Sequence, residues 1–152
     1  MSKSTPLPQT TAREAPENLA ILLREPFRKM SGRLIERLAE RGHPEVGFAQ
    51  GSVFQFLDDA GTRVSVLSER AQVSKQAMAQ FVAQLEEGGY VERVPDPSDG
   101  RAKLVRATTK GHAVFAIARE VVSEVDAELT ERLGEAKLRR LRALLEELDV
   151  AL

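Results

Sequence analysis

Between Ser65 and Arg106 the apolar residues change period, and no other feature limits the possible folds as much. Up to Leu85 they recur at helical spacing, and from Tyr90 they alternate. Ser65 to Ala71 reads as a short helix over 66–71. Ser65 is placed to cap it, because a hydroxyl just before the first turn accepts from an orphaned amide. Gln72-Val73 make a turn. Ser74 caps a second helix over 75–87, which stops at Gly88-Gly89. Tyr90-Val91-Glu92-Arg93-Val94 and Ala102-Lys103-Leu104-Val105-Arg106 then read as two paired strands. The seven residues between them, Pro95 to Arg101, exceed a minimal hairpin loop, so a projecting tip is expected.

Long helices flank this unit. Pro16-Glu17-Asn18 suits a helix start, and Leu19, Leu22 and Leu23 begin an apolar stripe. Pro26 should kink or break that helix. Phe27, Met30, Leu34 and Leu38 carry the stripe to Gly42, with Met30, like Met78, read as core packing. A helix over about 47–59 should face Val53, Phe54 and Leu57 inward, with Asp58-Asp59 as turn residues and a short extended Thr62-Arg63-Val64 after them. Thr108 caps a helix over 109–132, broken at Gly134, and a last helix covers 135–150. Residues 1–15, rich in Pro, Ser and Thr, read as a disordered tail, leaving 16–152 as one domain. The leucines beyond 129 fit a dimer seam better than a monomer core. Arg139, Arg140 and Arg142 read as a solvated face paired with Glu135, Glu146 and Glu147.

The two faces of the 75–87 helix differ in chemistry. Met78, Phe81, Val82 and Leu85 should pack inward, while Lys75, Gln76, Ala79, Gln80 and Ala83 face out. A major groove about 12 Å wide admits a helix with slim residues such as Ala79 and Ala83. Gln76 and Gln80 carry amides able to read base edges. Lys75 and the Ser74 hydroxyl suit phosphate. The hairpin tip offers Arg101 with Lys103 nearby, suited to a narrow minor groove. Gly100 is expected to allow a tight turn, and Asp99 to pair with an arginine that fixes the tip. Residues 61–112 hold eight Lys/Arg against six Asp/Glu, and 119–152 hold six against nine, so the central unit is the positive end of a chain of net charge -1.

Other chemistries find little support. The absence of cysteine excludes disulfides, thiolate metal sites and thiol redox switches. His43 and His112 lack metal-like spacing and read as surface or capping residues. No phosphate-binding glycine loop, serine elbow or paired carboxylates with a histidine point to an enzyme, and no cofactor is implied. Neither a signal core nor an apolar run of membrane length is visible, so a cytoplasmic location with no membrane partner is expected.

The segment from Leu85-Glu86 to Gly111 resembles the signature of the MarR family of transcription regulators. Gly89-Tyr90-Val91-Glu92-Arg93 and Asp96-Pro97-Ser98-Asp99-Gly100-Arg101-Ala102-Lys103-Leu104-Val105 carry the likeness. Thr108-Thr109-Lys110-Gly111 is similar to the family's Leu-Thr-x-x-Gly segment, with Ala107 in place of the leucine. The resemblance implies a mainly α fold with a small β-hairpin. It would form a winged helix-turn-helix lobe, about 47–107, with N- and C-terminal dimerisation helices, about 17–41 and 109–150. It implies a homodimer on double-stranded DNA. Ser74, Lys75, Gln76, Ala77, Ala79 and Gln80 would then enter the major groove and Arg101 the minor groove, with Asp99 bracing the wing. It also implies a repressor of a pseudo-palindromic operator, relieved by a small, often aromatic, anionic effector. A winged helix that binds protein instead of DNA is the rival reading.

Overall fold

A computed structural model describes residues 18–151, which form six helices and one antiparallel hairpin. The expected tail over 1–15 lies outside the described residues. Helix α1 (Leu19–Glu40) starts at Asn18, whose Oδ1 accepts from the Ile21 amide at 3.0 Å. It passes through Pro26 without a break. Proline there withholds one donor from the Leu22 carbonyl. Both residues are exposed, so water can serve that carbonyl, which explains why the expected break does not occur. Met30, expected in the core, is also exposed.

Helix α2 (Phe48–Phe56) is shorter than the expected 47–59 and leaves Leu57 as an extended C-cap. Thr62 and Val105 exchange backbone hydrogen bonds at 2.9 Å, so the expected extended segment is reduced to one bridge against the hairpin. That bridge fixes where the next helix begins. Helix α3 (Val64–Arg70) is capped by extended Arg63, and Ser65 lies inside it instead of capping it. Its Ser65 carbonyl accepts from Ser68 Oγ at 2.7 Å.

Helix α4 (Lys75–Glu87) has the expected bounds, with Ser74 Oγ accepting from the Ala77 amide at 3.1 Å. Strands β1 (Val91–Asp96) and β2 (Asp99–Ala107) follow. Helix α5 (Thr109–Leu133) starts under Thr108, whose Oγ1 accepts from the Gly111 amide, and ends at Gly134. Helix α6 (Glu135–Ala151) completes the described chain.

One buried cluster joins these elements. It contains Val53, Phe54, Leu67, Met78, Val82 and Leu85 from the lobe, Tyr90, Val91 and Val105 from the hairpin, and Val114, Ile117, Val121 and Val125 from α5. Phe54 meets both Tyr90 and Phe115 edge-on, with centroids 6.5 and 5.3 Å apart. The lobe therefore shares its core with the long helix behind it. Leu19, Leu22, Leu23 and Phe27 on α1, and Leu141, Leu144 and Leu145 on α6, stay exposed in the single chain. Arg139 pairs with Glu135 as expected, but Arg142 reaches across to Asp126 on α5 and not to its own helix. None of the described helices is long and apolar enough to cross a membrane.

Candidate nucleic-acid interface

Helices α3 and α4 meet at a turn in which Gln72 adopts φ 53°, a left-handed conformation that few side chains enter. The turn is closed by the Gln72 amide on the Glu69 carbonyl and the Val73 amide on the Ser68 carbonyl. Met78, Val82 and Leu85 bury one face of α4 almost completely. On the other face Ser74, Lys75, Gln76, Gln80 and Ala83 are exposed, while Ala77 and Ala79 are half-buried. Gln84 is bound to Gln50 on α2 at 2.7 Å, which removes it from the free face. Gln76 and Gln80 make no side-chain hydrogen bond among the described residues.

The hairpin differs from the loop expected for 95–101. Its turn is only Pro97-Ser98, and Asp96 pairs with Asp99 across it. The ladder then shifts, with Pro95 opposite Lys103, so Gly100, Arg101 and Ala102 bulge out of β2 without partners. The projection exists, but a strand bulge makes it. Gly100 is inside that bulge and does not form the tight turn expected of it. Its φ is not among the positive values, so it meets no left-handed requirement. Arg101 and Lys103 are exposed.

The sequence points to Asp99 as the residue that fixes the tip. The structure gives the larger part to Asp96, which is only 6% exposed. Asp96 Oδ1 accepts from the Ser98 amide at 2.8 Å and from Ser98 Oγ at 2.6 Å, and Oδ2 accepts from Arg63 Nε at 2.7 Å. The Ser98 donors, followed by the Arg63 guanidinium, bring its carboxyl pKa down to about 2. Asp99 accepts from the Arg101 amide at 3.1 Å and lies 3.7 Å from the same Arg63. An Asp-x-x-Asp sequence across a tight turn, with its two like charges facing, was the signal that a cation had to arrive from elsewhere.

A second feature escaped the sequence reading. Tyr90 is fully buried, and its hydroxyl donates to Glu45 Oε2 at 2.7 Å. His43 Nδ1 lies 3.2 Å from the Tyr90 hydroxyl oxygen, so His43 is a half-buried partner and not a surface residue. Burial first, and then the Glu45 carboxylate, push the Tyr90 phenol up to about 12. Lys110 lies over the Tyr90 ring, 4.1 Å from its centroid, and donates to the Gly88 carbonyl at 2.8 Å.

These contacts sort the cations of the lobe. Arg63, Arg70, Arg93 and Arg106 pair with Asp96, Asp58, Glu86 and Glu92. Lys110 is held against Gly88 and Tyr90. Lys75, Arg101 and Lys103 have no acidic partner among the described residues, and all three belong to the start of α4 or the wing.

Known proteins show likenesses to this geometry. The MarR family model matches residues 46–102. The chain is similar to the exopolysaccharide II synthesis transcriptional activator ExpG of Rhizobium meliloti, 26% identical over 74% of this chain. It is also similar to the HTH-type transcriptional repressor IacR of Pseudomonas putida, 30% identical over 62% of this chain. It spans 58% and 57% of the lengths of those two relatives. A crystal structure of a mutant MarR from E. coli complexed with operator DNA superposes with a TM-score of 0.69 at 27% identity, covering 86% of this chain and 92% of that one. Residues 46–102 match the MarR family model, and the fold is similar to that of MarR winged-helix structures.

Proposed function

We propose that this protein is a homodimeric, sequence-specific DNA-binding repressor of transcription. In this reading 47–107 is the DNA-binding lobe, and the helices over 17–41 and 109–150 form the dimer. The observation that carries the proposal is the sorting of charge. The lobe's arginines other than Arg101 are spent on internal pairs, and the cations left free lie on the two elements able to meet DNA. Helix α4 would enter the major groove with Ser74 and Lys75 on phosphate, Gln76 and Gln80 on bases, and Ala77 and Ala79 allowing close approach. Arg101, with Lys103 beside it, would enter the minor groove. The exposed apolar faces of α1 and α6 suit a second copy, and two-fold symmetry spaces the half-sites of a pseudo-palindrome about 34 Å apart. The relatives include both an activator and a repressor, and repression is the mode proposed. A small aromatic anion is the proposed effector. A cleft of about 540 Å³ beside α5, where Phe115 and Val122 adjoin Arg119, offers it apolar walls and a cation, with Asp59 and Asp126 also on its lining. The proposed location is cytoplasmic.

Selection from random duplexes, followed by anisotropy titration in rising salt, tests the reading. Affinity should fall steeply with salt. Arg101→Ala should weaken all sequences by a similar factor. Gln80→Ala should change preference at particular base pairs, by about 1–3 kcal/mol for a bidentate contact. An unchanged selected motif for Gln80→Ala, or an undiminished affinity for Arg101→Ala, defeats the corresponding assignment.

A further inference from the structure

The end of the wing sets two carboxylates against each other. Asp96 and Asp99 are ladder partners, and like charges directly opposite across a hairpin repel. The bulge of Gly100, Arg101 and Ala102 adds three residues that the ladder does not hold. Left alone, this tip has every reason to splay. A single cation meets both acids. Arg63 Nε donates to Asp96 at 2.7 Å, and Arg63 Nη2 lies 3.7 Å from Asp99.

Arg63 is itself held firmly. It caps α3, and its neighbour Thr62 exchanges two backbone hydrogen bonds with Val105 of β2. The guanidinium is thus carried by the first helix of the helix-turn-helix and reaches the wing from outside the hairpin. Its two acids lead to different parts of the tip. Asp96 grips the turn through the Ser98 amide and hydroxyl. Asp99 grips the bulge through the Arg101 amide.

We infer that Arg63 is a positioning residue for DNA recognition: by bridging Asp96 and Asp99 it locks the wing to helix α3 and sets the direction in which Arg101 is presented. Arg63 need not touch DNA to control binding. This inference rests on the DNA-binding reading above, and it predicts coupling between two residues that do not touch.

A double-mutant cycle on Arg63 and Arg101, titrated against the selected duplex, tests it alongside backbone amide exchange. Arg101→Ala should lose about 10-fold in affinity in the wild-type background and under about 3-fold in Arg63→Ala, because a misdirected tip has little left to lose. Arg63→Lys, which keeps the charge but not the fork, should recover part of the coupling. The Ser98 and Arg101 amides should exchange faster in Arg63→Ala, with amides of α4 and α5 unchanged. Equal losses from Arg101→Ala in both backgrounds would overturn the inference. Should Arg63→Ala fail to fold, Asp96→Asn provides the same cycle and exchange measurement from the other side of the pair. If the wild type binds no DNA, the functional reading fails. Exchange then decides the brace separately, and unchanged protection at Ser98 and Arg101 in both variants would overturn it.

Discussion

Gly111 shows how one residue can set the joint between two parts of the molecule. A Cβ built there would run into the Tyr90 carbonyl oxygen, and that oxygen also accepts from the Thr108 amide at 3.0 Å. The first turn of α5 therefore docks on the backbone that starts the hairpin. Gly111→Ala should cost about 1–3 kcal/mol as an overpacked site, read as a lowered melting temperature. A melt matching wild type would mean that the joint yields freely. Asp96 carries a prediction about acid. Its folded pKa of about 2 lies below the roughly 3.9 of an unfolded aspartate. The resulting stabilisation is complete above that unfolded value and disappears as pH falls through the folded one. Urea midpoints between about pH 5 and 2 should fall less steeply in Asp96→Asn than in wild type. Parallel curves would show that the carboxylate is not linked to folding.

At the scale of elements, α1 and α5 are joined by a ladder of ion pairs above a buried apolar row. Arg33 pairs with Glu128, Arg37 with Glu124 and Arg41 with Glu120. Hydrogen bonding to Arg37 holds the Glu124 carboxyl below the usual range. These side chains remain substantially exposed, and solvent screening leaves such pairs with little effect on stability. Leu38 on the same helix is 2% exposed and belongs to the common core. Leu38→Ala should therefore cost about 2–5 kcal/mol, and Arg37→Ala much less. Denaturant titration of both variants compares the two effects directly. Equal losses would mean that the ladder holds α1 to α5 as strongly as the buried row does.

For the whole molecule the relevant feature is what a single chain leaves uncovered. Leu141, Leu144 and Leu145 on α6 are 40–51% exposed, and Leu19, Leu22, Leu23 and Phe27 on α1 are 38–61% exposed. Because these residues are exposed, a charge there tests association without emptying the protomer core. Leu144→Glu should give a monomer by sedimentation with a native helical spectrum, and operator affinity should fall with it. A variant that sediments as a stable dimer would place the seam elsewhere. The charge distribution fits the same arrangement along the sequence, since the excess of acids over 119–152 falls outside the 47–107 segment that carries the free cations.

Local pattern was enough to place helix α4, the pairing of two strands and the long closing helices. Hydrophobic period, a capping serine or threonine and a terminal glycine all act between near neighbours in the chain. That is why Ser74, Thr108 and Gly134 mark helix ends where expected. Packing decided the rest. Thr62 is pinned to Val105, so α3 starts at Val64 and Ser65 loses its role as cap. Pro26 survives within α1 because that stretch is exposed. His43 reaches Tyr90, and Arg63 reaches Asp96, across 47 and 33 residues of sequence. Contacts of this kind leave no periodic trace, since they depend on where the folded chain carries each side chain. The exposed face of α4 could be read from spacing. The brace that directs Arg101 became visible only once Arg63 stood between two aspartates.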